Sequence, residues 1–193
     1  MDSLVFDTSA LLNFGHRGEL TALLKKLSTE YHILTTPGAR AELTDPDRAE
    51  FYATFIRNHF TVQGATTVPF DIKTLAQLNR ALDPGEITVM TLAKEINGMA
   101  VLDETAARAE AKKLDLRCIG TLGLLHLGLQ RKWLTDAECL ARVNKLCDAG
   151  FFIPRPAAGK SFAQYFASID GRIACDPERV NVAPKRRITL TEE

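Results

Sequence analysis

The run Leu4-Val5-Phe6 is apolar and partly β-branched, and it breaks off abruptly at Asp7-Thr8-Ser9. Near-continuous apolar runs mark parallel strands covered on both faces, so this pattern predicts a buried strand that delivers an acid at its carboxyl end. The pattern returns at Met99-Ala100-Val101-Leu102, which runs into Asp103-Glu104. Between the two, Leu20, Leu23, Leu24 and Leu27 follow the i, i+3, i+4, i+7 spacing of an amphipathic helix. Residues 32–35 read as a second strand, and Thr36-Pro37 as the cap and first position of a helix carrying Glu42 on its second turn. Phe51, Phe55, Ile56 and Phe60 predict a further helix and its exit, and residues 60–63 a weak strand. Next come a helix containing Ile72, Leu75, Ala76 and Leu82, and another opened by Asp83-Pro84-Gly85-Glu86 and stopped at Asn97-Gly98. After Asp103 the chain predicts a helix over 105–114, a strand over 117–119 and a leucine-rich helix over 122–129. Thr135-Asp136-Ala137-Glu138 has capping-box form and opens a final core helix.

Strands alternating with helical patterns imply right-handed βαβ crossovers. The expected fold class is α/β, a three-layer α/β/α sandwich around a central, mostly parallel sheet of about four to five strands. From Pro154 the periodicity is lost, and Pro154, Pro156, Gly159, Pro177 and Pro184 punctuate a segment that contains Lys185-Arg186-Arg187. The expected organisation is one α/β domain over residues 1–153 and an extended tail over 154–193 with no assigned role.

A chain of 193 residues buries a sizeable core without disulfides. Cys118, Cys139, Cys147 and Cys175 form no C-x-x-C pair and read as reduced thiols. No apolar run is long enough for a membrane span and the first residues lead straight into a strand, so no membrane association and a cytoplasmic location are expected. Lysine plus arginine equal aspartate plus glutamate at 24 each. With no global basic field, a polyanion must be held locally, and acids around a divalent cation fit that balance.

Asp7 and Asp103 at strand ends, Glu42 on an early helix and Glu86 in the first turn of another stand out by position. Hard cations such as Mg²⁺ or Mn²⁺ take oxygen ligands, and acids converging at one sheet edge supply them. Such a centre polarises a phosphodiester and activates water. Each acid also has a plainer reading. Asp7, Thr8 or Ser9 could cap the following helix, and Glu86 could close a capping box with Asp83. Glu42 could be a solvated helical charge, and Glu104 forms a favourable i, i+4 pair with Arg108.

The segments "VFDTSALLNFGHRGELTALLKKL", "ILTTPGARAEL", "LDPGEITVMTLAKE" and "VLDETAARAEAKKLDLRCIGTLGLLHLGLQRKWLT" resemble, in order, the motifs of the PIN-domain family. Its members include the VapC-type toxin ribonucleases of toxin–antitoxin pairs. The resemblance covers residues 3–153. It implies that Asp7, Glu42, Glu86 and Asp103 are catalytic, metal-binding acids of a Mg²⁺- or Mn²⁺-dependent ribonuclease acting on RNA. It further implies Ser9 and Thr121 as hydroxyls near the site, and Arg108 as a contact to phosphate or to the acids. Glu104 stands where the most similar branch commonly carries a second aspartate. A small antitoxin protein is an implied partner.

Other motifs fall short. Gly159-Lys160-Ser161 lacks the earlier glycine of a phosphate-binding loop, where Pro154 stands instead. His16, His32, His59 and His126 show no zinc-ligand spacing, and no G-x-S-x-G elbow occurs. Two other functions compete with the ribonuclease. A haloacid dehalogenase-type phosphatase needs a second aspartate where Ser9 stands, and a non-catalytic PIN-like module binding RNA or protein follows if the acids do not converge. The leucine-rich helices and the unplaced tail lead us to expect a homodimer.

Overall fold

Five strands, β1 (Asp2–Phe6), β2 (Tyr31–Thr35), β3 (Thr61–Val62), β4 (Met99–Val101) and β5 (Cys118–Ile119), pair in one all-parallel sheet of order β3-β2-β1-β4-β5. This is seen in a computed structural model of the chain, which describes residues 1–169. The chain moves outward from β1 through β2 to β3, then crosses to the other side of β1 to lay down β4 and β5. The strand order therefore reverses between β1 and β4. A crevice opens beyond the carboxyl ends of the strands at such a point. Phe6 is in register with Val101, and the Asp7 N–H donates to the Val101 carbonyl at 3.2 Å. Asp7 and Asp103 thus leave neighbouring strands at the crevice.

The strand interiors are apolar because both faces of the sheet are covered, which gives the expected three-layer α/β/α arrangement. Leu4, Val5, Phe6, Ala100 and Val101 are buried. Phe6 meets Phe14 and Phe60 edge-on, with ring centroids 5.1 and 5.2 Å away.

After β1 the structure departs from a single early helix. The segment divides into α1 (Thr8–Leu12), a π-helical turn (Asn13–Arg17) and α2 (Thr21–Leu27). The Gly18 N–H donates to the Asn13 carbonyl at 2.9 Å, closing the wide turn. A Cβ at Gly18 would lie 2.8 Å from that same carbonyl oxygen, so a side chain there is incompatible with the turn. Helix α3 (Pro37–Ala41) is also shorter than expected. Thr36 caps it, Pro37 takes its first turn, and Glu42 is its C-terminal cap rather than a second-turn residue. The helices α4 (Ala49–His59), α5 (Ile72–Ala81) and α6 (Pro84–Glu95) follow, and Asn97 ends the last of these with φ 52°. α7 (Thr105–Lys113), α8 (Thr121–Gln130) and α9 (Asp136–Asp148) complete the expected set.

The segment beyond residue 153 is not wholly extended. Ser161 accepts from the Gln164 N–H and caps α10 (Phe162–Ser168), and Phe162, Tyr165 and Phe166 are buried. α10 packs on α8 and α9. Gly159-Lys160-Ser161 is therefore a turn leading into a helix start, with Gly159 at φ 77°. Pro177, Pro184, Cys175 and Lys185-Arg186-Arg187 lie outside the described residues. Cys139 and Cys147 are free thiols.

Leu122, Leu124, Leu125 and Leu127 of α8 are buried within the chain itself. The leucines of α8 thus serve the core of the chain, while Ile72 and Phe152 are among the apolar side chains left exposed. No helix among the described residues is long and apolar enough to cross a membrane.

Candidate active site

Asp7 is built into the end of β1 and is only 1% exposed. Its Oδ1 accepts from the Ala10 N–H at 2.7 Å, so it does cap α1. Capping is only part of its setting. Burial pushes its carboxyl well above the usual range, the Asp103 charge adds to that, the Ala10 N–H opposes it, and Glu86 and Glu104 raise it further. Helix cap and acid cluster coincide at one side chain.

Asp103 is held from the opposite wall of the crevice. Its Oδ1 accepts from the Thr121 N–H at 2.7 Å, while its Oδ2 accepts from the Thr121 hydroxyl and from Asn13 Nδ2 at 2.9 Å. Glu86 is buried on the first turn of α6, where its Oε2 accepts from the Asp83 N–H at 3.1 Å. Its Oε1 is buried with no hydrogen-bond partner. Burial raises the Glu86 carboxyl, the Asp83 N–H opposes this, and Glu104, Asp83 and Glu42 raise it again. Glu42 reaches across from the end of α3, accepting from the Gly85 N–H at 2.6 Å and from the Thr8 hydroxyl at 2.6 Å. A main-chain N–H at a helix start, in α1, α6 or α8, therefore anchors each of the four acids.

The remaining expected residues take supporting positions. Ser9 donates to Glu104 at 3.4 Å, and Glu104 is exposed at the head of α7. Arg108 is buried, and its guanidinium donates to the carbonyls of Leu102 and Asp103 at 3.2 and 2.5 Å. In this position it clamps the turn that presents Asp103. Thr121 is buried and gives Asp103 both its N–H and its hydroxyl.

Two participants were missed. Thr8 bridges from the first residue of α1 to Glu42, and Asn13, wholly buried, holds Asp103 from the π-helical turn. A single amide among Leu11, Leu12 and Phe14 was the signal for Asn13. An amide in an apolar run has to find a polar partner in the core. Its Oδ1 is buried and unpartnered, like Glu86 Oε1.

The gathered donors are hard carboxylate and amide oxygens, which suit Mg²⁺ or Mn²⁺. Two orphaned acceptors and a set of mutually repelling acids also fit the arrival of a cation. Among the described residues no three acidic, histidine or cysteine side chains form a ready ligand set, because the carboxylates are turned onto the protein's own donors.

Gly85 tests how closely Glu42 is seated. A Cβ there would lie 2.5 Å from a Glu42 carboxylate oxygen and 2.6 Å from its carbon. Alanine favours the helix over glycine by about 1 kcal/mol, and the Glu42 carboxylate sits at the end of a flexible side chain that can swing aside. Gly85→Ala should therefore leave the melting temperature level or slightly higher while weakening any Mn²⁺-induced rise. Paired melting curves check this, and an undiminished Mn²⁺ response would show that the seat of Glu42 is immaterial.

A family model described as a PIN domain matches residues 3–164. No curated protein is significantly similar to the chain. The match runs from the first residues of β1 into α10 and takes in the whole sheet and all four acids. The chain belongs to the PIN-domain family.

Proposed function

We propose that this protein is a Mg²⁺- or Mn²⁺-dependent ribonuclease that hydrolyses RNA phosphodiester bonds. The observation that carries the reading is Asp7, a wholly buried carboxyl at the β1/β4 crevice within the field of Asp103, Glu86 and Glu104. An acid kept there without a counter-charge is costly, and a divalent cation supplies one. The PIN fold is nuclease-like, and its members generally use divalent metals.

Asp7, Glu42, Glu86 and Asp103 would hold the cation. When bound, it supplies Lewis-acid polarisation of the phosphodiester and makes water a better nucleophile. Asn13 and Thr121 keep Asp103 oriented, Thr8 and the Gly85 N–H orient Glu42, and Arg108 fixes the backbone beneath Asp103. The buried floor of leucine and phenylalanine side chains excludes bulk water from beneath Asp7 and strengthens each charge interaction there.

The test is cleavage of an end-labelled single-stranded RNA by the purified chain. Mn²⁺ or Mg²⁺ should be required, and excess EDTA should reduce cleavage to background. Binding without cleavage under every cation condition would favour the non-catalytic module, a reading supported by the lack of a ready three-ligand set among the described residues. We extend the ribonuclease reading to a toxin restrained by a small antitoxin. The family resemblance alone supports that step, and co-expression with the product of the adjacent reading frame tests it.

A further inference from the structure

Beside Glu42 the surface opens into a cleft of about 250 Å³. Glu42 is a wall of both the cleft and the acid cluster. His16, Arg17, Thr44, Asp45 and Tyr52 also line the cleft. The cleft has a chemistry unlike that of the acids. His16 and Tyr52 are joined by a 2.8 Å hydrogen bond between the phenol oxygen and Nδ1, which fixes both rings, with their centroids 5.7 Å apart. Phe51, 44% exposed, extends this aromatic surface edge-on to His16 and stacks on Phe55 behind it.

The π-helical turn carries His16 and Arg17 to this place. One such turn thus gives Asn13 to the acids and the next two side chains of interest to the cleft. Arg17 and Arg48 stand beside the rings, and Arg48 is paired with Asp45 at 3.6 Å, which leaves Arg17 as the cation lining the cleft. Burial, then Arg48 and Arg17, hold the His16 ring below its ordinary pKa, with Asp45 opposing them.

Fixed π faces, a rim of guanidinium, hydroxyl and carboxylate groups, and contiguity with a phosphodiester site describe a seat for an unpaired base. In a duplex the base faces are stacked and unavailable, whereas a single strand splays them onto aromatic side chains. We propose that this cleft binds the unpaired nucleobase of a nucleotide flanking the scissile phosphodiester. His16 supplies the stacking face, held in place from behind by the buried Tyr52, and Arg17 meets the adjoining phosphate. This assignment rests on the nuclease reading for the identity of the strand, and its test does not depend on cleavage.

The experiment is fluorescence anisotropy in EDTA, using a labelled single-stranded hexaribonucleotide and the same strand with its bases removed. Wild type should bind the intact strand at least about tenfold more tightly than the abasic one, the scale of one base stack. His16→Ala should erase that difference, His16→Phe should restore most of it, and Phe51→Ala, at an exposed ring, should reduce it without disturbing the core. Circular dichroism confirms that each variant is folded. Equal binding of the intact and abasic strands, or a His16→Ala protein that binds like wild type, would overturn the proposal. Base-dependent binding with no Mn²⁺-dependent cleavage would sink the nuclease reading and leave the cleft standing. Cleavage with full activity in His16→Ala and no base dependence would do the reverse.

Discussion

Asp7→Asn is expected to leave the cation-free protein as stable as wild type or more so, while abolishing RNA cleavage and the stabilisation given by Mn²⁺. The amide keeps an oxygen where Asp7 Oδ1 accepts from the Ala10 N–H, so the α1 cap survives. What disappears is a buried charge facing Asp103, Glu86 and Glu104. Two carboxylates about 4 Å apart repel by about 4 kcal/mol at an effective dielectric of 20, before protonation relieves it. Loss of a cation ligand at the reacting centre should cost cleavage about a thousandfold, equivalent to about 4 kcal/mol of transition-state stabilisation.

The pH dependence has a definite sign. Asp7 has a folded pKa above its unfolded value of about 4. Its contribution to stability is therefore fully present below pH about 4 and is lost as pH rises through the raised folded value. Wild type and variant should melt together at acid pH and separate above it, with the variant on top. Mn²⁺, binding only the folded state, should close the gap by raising wild type alone. Should the variant still cleave RNA and still gain the full Mn²⁺ response, Asp7 is a helix cap and no more.

Phe6→Ala should be the most damaging single change to the fold. Phe6 is wholly buried one residue before Asp7, with Phe14 and Phe60 edge-on to its ring. Truncating such a residue costs about 3–5 kcal/mol, a large part of the 5–15 kcal/mol that about any domain has in reserve. In a chain of this size that lowers the melting temperature by roughly 10 °C or more. Phe6→Leu refills much of the cavity and should recover over half of the loss. Urea unfolding of the three proteins measures this, and a loss under about 1 kcal/mol for Phe6→Ala would mean that the core closes around the gap.

The strand ends were legible because a doubly covered parallel strand leaves a plain mark, a continuous apolar run stopped by a carboxylate. Thr36-Pro37 and Thr135-Glu138 were legible for a similar reason, since a helix start must satisfy free N–H groups locally. The strand order was not, because pairing β1 with β4 joins residues far apart in the chain and leaves no local trace. Glu86 posed a choice between cap and functional acid, which local spacing could not decide; in the structure one of its oxygens accepts from Asp83 and the other is buried and unpartnered. The π-helical turn escaped notice because the leucine stripe beyond it fits a regular helix, while the hydrogen bond from Gly18 to Asn13 shows only in three dimensions. α10 was hidden by its prolines and glycine. Its signal was nevertheless present in Ser161 followed by Phe162, Tyr165 and Phe166 at helical spacing.

The four acids share an anchor that no side chain encodes. Ala10, Asp83, Gly85 and Thr121 each offer a main-chain N–H, and every residue except proline carries that group. Substitutions at Ala10, Asp83 and Thr121 can change the neighbourhood without removing the main-chain donor, provided the helix starts stay where they are, whereas any side chain at Gly85 displaces Glu42. Sequence drift around the crevice is thus buffered. The side chains that line the cleft beside Glu42, His16, Arg17 and Tyr52 among them, take no part in that main-chain anchoring.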